Sequence, residues 1–169
     1  MNLTDFTIET RGYLCKPWKF TDRKLVAASD GRILLARSLS AKDKYEEAPA
    51  DVRDKFALFI DAVHGPQTIK VSMSKLARWA GPLQTDEDNW PLMIPGYFMG
   101  VIFNRMQFSR AFKLVSDERF TVSILPFTTG QAAFLTGKKW RIILMACTEG
   151  VLQRNDLKEN QPVRKFAYA

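Results

Sequence analysis

Histidine and cysteine are almost missing from this chain of 169 residues: there is one histidine, His64, and two cysteines, Cys15 and Cys147. No CxxC or HxxxH spacing exists, which argues against a zinc site built from these ligands. The two cysteines lie far apart, and two buried free thiols are expected in preference to a disulfide. A long apolar run is lacking too. The longest, Leu92 to Phe103, is too short to span a bilayer and is interrupted by Pro95, Gly96 and Gly100. The N-terminus, MNLTDFTIET, carries acids early and no apolar stretch, so neither a signal nor a transit peptide is expected, and the location implied is cytoplasmic, with no membrane partner.

The usual chemistry-bearing motifs are absent as well. There is no GxxxxGK(S/T) phosphate loop and no GxGxxG turn. Asp86, Glu87 and Asp88 stand together in a loop segment with no second acidic cluster, and they read as a solvated turn. His64 falls beside Gly65-Pro66 at the end of a predicted helix. There it is expected to face the negative end of the helix dipole, with no nucleophile paired to it. Catalytic residues, cofactor and metal are all expected to be none, and the protein is expected not to be an enzyme.

What is present is positive charge. Twenty-five Lys and Arg against 18 Asp and Glu leave a formal charge of +7 and a pI near 9.5, which points to a polyanionic partner if the cations are clustered. Scattered, the same charge only aids solubility. A hydrophobic fraction of 46% argues against wholesale disorder, and the length suits one compact domain.

Residues 6–37 read as β structure: FTIETRGYL alternates at Phe6 and Ile8, and KLVAAS and RILLAR flank the turn dipeptide Asp30-Gly31. Val52, Phe56, Phe59, Ile60 and Val63 recur at helical spacing, which predicts a helix over about 49–63, stopped by Gly65-Pro66. A strand over 68–71 passes into a second helix with Ser72 as N-cap, Met73, Leu76, Ala77 and Ala80 inward, and Gly81-Pro82 as the stop. After a loop, residues 97–103 read as one buried strand. Asn104 caps a third helix reaching Val115, with Phe108, Ala111, Phe112 and Val115 inward and Arg105, Ser109, Arg110 and Lys113 outward. Three strands follow, FTVSILPF, QAAFLTG and KWRIILMAC, the last two divided by Gly137-Lys138. Beyond Glu149 the chain turns polar, as in a loosely held tail. The strand–helix pair at 68–80 repeats faintly at 97–115.

Two stretches resemble the bacterial replicative DNA sliding clamp family. In Ala27-Ala28-Ser29-Asp30-Gly31-Arg32-Ile33-Leu34 the "ATDGHRLA" hairpin core of clamps is recognisable, with Arg32 for the histidine, and TIKVSMSKLARWAG is similar to the strand-to-helix step that follows it. Residues 102–147 look like the closing half of a clamp domain, with Ile142-Ile143-Leu144-Met145 for its "V-I-M-P" run and Ala146 for the proline. The resemblance covers somewhat over half the chain. It implies an α+β fold of antiparallel sheets with two amphipathic helices on one face: a DNA-clamp-like single domain at 1–150, with a helical insertion at 41–66 and a C-terminal tail at 151–169. Clamp rings need six such domains, so one domain per chain implies a homo-oligomer or no ring.

In clamps the helices face double-stranded DNA and attract its backbone without reading bases. The resemblance therefore assigns DNA binding, sequence-independent, to Lys75, Arg78, Arg105, Arg110 and Lys113. The alternative is a protein-interaction module, from a phage or other mobile element, acting on replication or defence proteins. It would use Trp90, Tyr97 and Phe98. Stacking of bases on Trp18, Phe20, Trp90, Tyr97 and Phe98 is a further option, although most of these suit a core.

Overall fold

A computed structural model of the chain describes residues 2–127 and 130–147, together with the backbone of 164–165. Its elements are β1 (Trp18–Phe20), β2 (Leu25–Ser29), β3 (Ile33–Ser38), α1 (Ala50–Ile60), β4 (Ile69–Ser72), α2 (Met73–Ala80), β5 (Pro95–Phe98), β6 (Val101–Asn104), α3 (Arg105–Phe112), β7 (Arg119–Phe127), β8 (Gly130–Thr136), β9 (Trp140–Met145) and β10 (Arg164–Lys165). The fold is α+β. A seven-stranded antiparallel sheet runs β1-β2-β3-β9-β8-β7-β4, and a smaller sheet runs β10-β5-β6, its first pair parallel. The predicted tail at 151–169 lies outside the described residues, apart from β10.

The large sheet is the middle of three layers. On one face Ala28, Leu35, Ile142, Leu135, Val122 and Val71 pack with Leu76 and Trp79 of α2 and Phe108 and Ala111 of α3. On the other, Ala27, Leu34, Ala36, Ile143 and Phe134 pack with Val52, Phe56 and Ile60 of α1. This places the 41–66 segment: its helix covers a sheet face and closes a second core. Alternation within strands dictates the division, since residues i and i+2 share a face.

Local signals set most boundaries. The side chain of Ser72 accepts from the Lys75 N–H and that of Asn104 from the Met106 N–H, each holding an amide that the first helical turn leaves without a partner. Gly81 (φ 77°) ends α2. In the β2–β3 turn Gly31 (φ 82°) is the first central residue, where a type II′ hairpin calls for glycine.

Several expectations fail. Residues 6–14 are not a strand but two 3-10 turns, Leu3–Phe6 and Gly12–Leu14; Asn2 and Asp5 form a capping box that winds the first. The segment read as one strand, 97–103, is the β5–β6 hairpin. It reverses at Met99 (φ 50°) and Gly100 (φ 80°), the paired positive φ of a type I′ turn. Helix α1 stops at Ile60, and Val63, expected inside, is 79% exposed. In α2 the inward position falls to Trp79 while Ala77 is exposed. The strands of the faint repeat part company: β4 joins the large sheet and β6 the small one.

The largest correction concerns α3. Arg105, Ser109 and Arg110 do not face outward; all seven residues from Arg105 to Ala111 are buried. The helix is enclosed because α2 flanks it, the 82–94 loop reaches its first turn through the Gln84 N–H to Met106 Sδ contact, and the N-terminal turn meets Arg110. Arg110 donates from Nη1 to Asp30 Oδ2 at 2.7 Å, and its guanidinium lies over the Phe6 ring at 4.3 Å. Asp30 Oδ1 meanwhile accepts the N–H groups of Arg32 and Ile33. One carboxylate thus ties the hairpin tip to a helix 80 residues away.

Removing one partner of such a buried pair costs about 3–5 kcal/mol, because the other charge stays behind uncompensated. Arg110→Ala is expected to lower the unfolding free energy by about that much, and Asp30→Ala/Arg110→Ala together by less than the sum of the single changes. Urea denaturation of the three variants measures both.

Candidate functional site

The residues assigned to DNA binding separate. Arg78 and Lys113 are exposed and Lys75 half-exposed on the α2–α3 layer, whereas Arg105 and Arg110 are internal. Arg105 lies against Gly96, where an added Cβ would sit 2.7 Å from Arg105 Cδ. Of the residues assigned to a protein partner, Trp90 is 48% exposed and Tyr97 half-buried. Phe98 is fully buried at the centre of an aromatic cluster, with ring centroids 5.4 Å from Trp79 and 5.3 Å from Phe108. Trp18 and Phe20, weighed for base stacking, belong to the core beneath α1.

The Asp30-Gly31-Arg32 tip separates two hollows. The first is a cavity of about 230 Å³ between the tip, the 12–14 turn and α1. Leu14, Phe56, Phe59, Ile143 and Met145 make its apolar wall, Tyr13, Arg32 and Lys55 stand at its mouth, and no acid lines it. The Lys55 ammonium lies 4.5 Å from the Tyr13 ring centre. Arg32 is exposed and enters no ion pair among the described residues. The second hollow holds Ile8, Arg11, Asp30, Arg32, Asp86 and Trp90. Trp90 is held there by a tight turn in which the Trp90 N–H donates to Asp86 Oδ1 and the Asp86 N–H to the Trp90 carbonyl. The acidic loop is thus partly a clasp on its own backbone.

His64 was expected to meet the α1 terminus. Arg141 occupies that place, donating from Nη1 to the Ile60 carbonyl at 2.7 Å, as suits a cation at a helix C-terminus. His64 instead lies on Phe134, with ring centres 4.5 Å apart, its Nδ1 2.9 Å from Ser123 Oγ and its Nε2 2.7 Å from Thr136 Oγ1. Partial burial, assisted by the positive charge of Arg141, pushes its pKa below the ordinary 6.5. A neutral ring serves the two hydroxyls, one nitrogen donating and the other accepting. Ser123 is fully buried under the ring.

The cysteines are both free and half-buried. Cys147 Sγ sits 3.8 Å from Met93 Sδ, and burial raises its pKa. Among the described residues no group of three or more His, Cys, Asp and Glu could hold a metal ion, and no helix is long and apolar enough to cross a membrane.

No protein-family model matches the chain, and no curated protein does. Among solved structures, the chain is similar to the DNA polymerase III beta subunit of Thermotoga maritima, at 10% identity and a TM-score of 0.35, over 73% of this chain. The match spans 41% of the length of that subunit.

Because the folded state lowers the pKa of His64, its contribution to stability is complete above pH 6.5 and declines as the pH falls through the lower folded-state value. Urea midpoints at pH 7.5 and 5.5 should therefore differ more for the native chain than for His64→Gln, which keeps amide partners for both hydroxyls and does not titrate.

Proposed function

We propose that the chain is a non-catalytic, clamp-like binding protein that receives a short segment of a protein partner at the hairpin tip. One observation carries this reading: an apolar cavity with cations at its mouth and no acid in its lining. Its volume of about 230 Å³ is below the roughly 300–1,000 Å³ of sites for drug-sized ligands, so it suits an inserted side chain better than a whole cofactor. Charge complementarity selects the occupant: an extended peptide with one bulky apolar residue beside acidic ones. The walls are rigid because Phe56 is core, Ile143 lies inside the sheet and the tip is held by Arg110.

The probe is acetyl-Asp-Phe-Asp-amide, with acetyl-Lys-Phe-Lys-amide as its control. At millimolar concentration the acidic peptide is expected to shift the methyl resonances of Ile143 and Met145, and the basic one to leave them in place. Arg32→Glu should weaken the acidic peptide about two- to fivefold, the scale of an exposed ion pair. Equal shifts with both peptides, or none, would sink the reading.

A second reading keeps the partner implied by the clamp resemblance, the duplex backbone, and rests on the exposure of Arg78, Lys113 and, in part, Lys75 on neighbouring helices. Each phosphate neutralised adds about 0.9 to the slope of log affinity against log salt. Lys75→Glu/Arg78→Glu/Lys113→Glu is therefore expected to lower that slope by about two to three units on a mixed-sequence duplex. An unchanged slope removes the helix face from the DNA reading. Sedimentation mass then distinguishes a ring of copies from open-surface contact by a monomer.

A further inference from the structure

Helix α1 covers only part of its sheet face. Across the remainder, Lys70, Thr121, Thr136 and Arg141 are successive cross-strand partners on β4, β7, β8 and β9, so all four stand on one face. One step along, Arg119 pairs with Ser72. Lys138 and Lys139 form the turn into β9. Two hollows run together over this row. One is lined by Lys70, Ser72, Arg119, Thr121, Thr136 and Gly137, and the other by His64, Thr136, Gly137, Lys138, Lys139 and Arg141 among others. Because they share Thr136 and Gly137, they make one trough. It crosses four strands, about 14 Å at ~4.8 Å per step.

The trough has the chemistry of a phosphodiester site. It offers five cations, Lys70, Arg119, Lys138, Lys139 and Arg141, all exposed. The hydroxyls of Ser72, Thr121 and Thr136 stand among them, and no acid lines either hollow. None of the five cations enters an ion pair among the described residues. The acid beneath the turn, Asp117, is buried and accepts the backbone N–H groups of Lys139 and Trp140. Elsewhere on this layer several cations are paired: Lys16 with Glu46, Arg23 with Asp61, Arg37 with Asp43 and Arg53 with Glu47. Five cations with no acid in the lining therefore gather at this end of the sheet.

We propose that this trough, on the sheet face opposite α2 and α3, binds the phosphate backbone of a nucleic acid strand without reading its bases. At about 6–7 Å between neighbouring phosphates of one strand, a length of about 14 Å takes about three phosphates among the five cations. Donors in that set address phosphate oxygens, and none of the lining groups forms a pocket for a base. The site is independent of both the hairpin-tip cavity and the helix face.

The test uses the full chain and a 30-nucleotide mixed-sequence DNA, as single strand and as duplex, with affinity followed from 50 to 300 mM salt. Lys70→Glu/Arg119→Glu/Lys138→Glu is expected to weaken binding at least tenfold at the lowest salt and to flatten the salt slope by about two to three units. If that variant does not fold, the glutamine triple at the same positions should lose about the same slope. Acetylation of Lys70 and Lys138 in the native chain should slow when DNA is present. Unchanged affinity and slope in the trough variant, with unprotected lysines, would overturn the proposal. If the Lys75, Arg78 and Lys113 variant alone lost binding, the helix face would be the interface. Preference for a heparin-like polyanion at equal charge density over both DNA forms would also overturn it.

Discussion

The contact between Arg110 and Asp30 joins three segments that lie far apart in the sequence. A guanidinium and a carboxylate are costly to take out of water, and their attraction offsets that cost only when geometry is good and the remaining donors and acceptors are served. Here Asp30 serves two backbone amides of its own turn as well as Arg110, and Arg110 also rests on the ring of Phe6. The hairpin, the third helix and the N-terminal turn are thereby held in one arrangement. The shape of both hollows beside Arg32 follows from it. The same contact lets an arginine stay inside a helix that α2, the 82–94 loop and the N-terminal turn enclose.

Once those arginines are drawn inward, the surface is organised differently from a simple basic protein. Around α1, acids hold most of the cations: Arg23 keeps the Asp61 carboxyl below the usual range, and Arg37 does the same for Asp43. At the far end of the sheet no such acids are present in the lining. An apolar cavity at one end of the α1-covered face and a cationic trough at the other give the chain two chemically distinct surfaces on one rigid layer.

How much of this the sequence revealed depended on whether the signal was local. Ser72, Asn104, Gly81 and Asp30-Gly31 act within a few residues, so the helix starts, the α2 stop and the first hairpin were legible. The β5–β6 turn was not, because Met99-Gly100 lacks the asparagine or aspartate that usually marks a type I′ turn. The site was less legible than the fold. Helical periodicity reports only that Arg105 and Arg110 lie off the line of Phe108, Ala111 and Val115; it cannot report that a loop and the N-terminal turn cover them. Arg141 takes the place expected of His64 at the α1 terminus because each meets partners distant in the sequence. The trough was invisible for the same reason: Lys70 and Arg141 come into one row only through strand register.

The strand order has a consequence for how the chain reaches this state. The β2–β3 hairpin forms from neighbouring residues, yet its inner strand is completed only by β9, with Ile33 opposite Leu144. Until those last residues arrive, β3 offers an open, strongly apolar edge. Pairings that distant in sequence are slow to find because a long loop must close first. During synthesis the early hairpin is therefore the segment most exposed to wrong partners. The α1 segment, emerging directly after it, can shelter one of its faces before the sheet is whole.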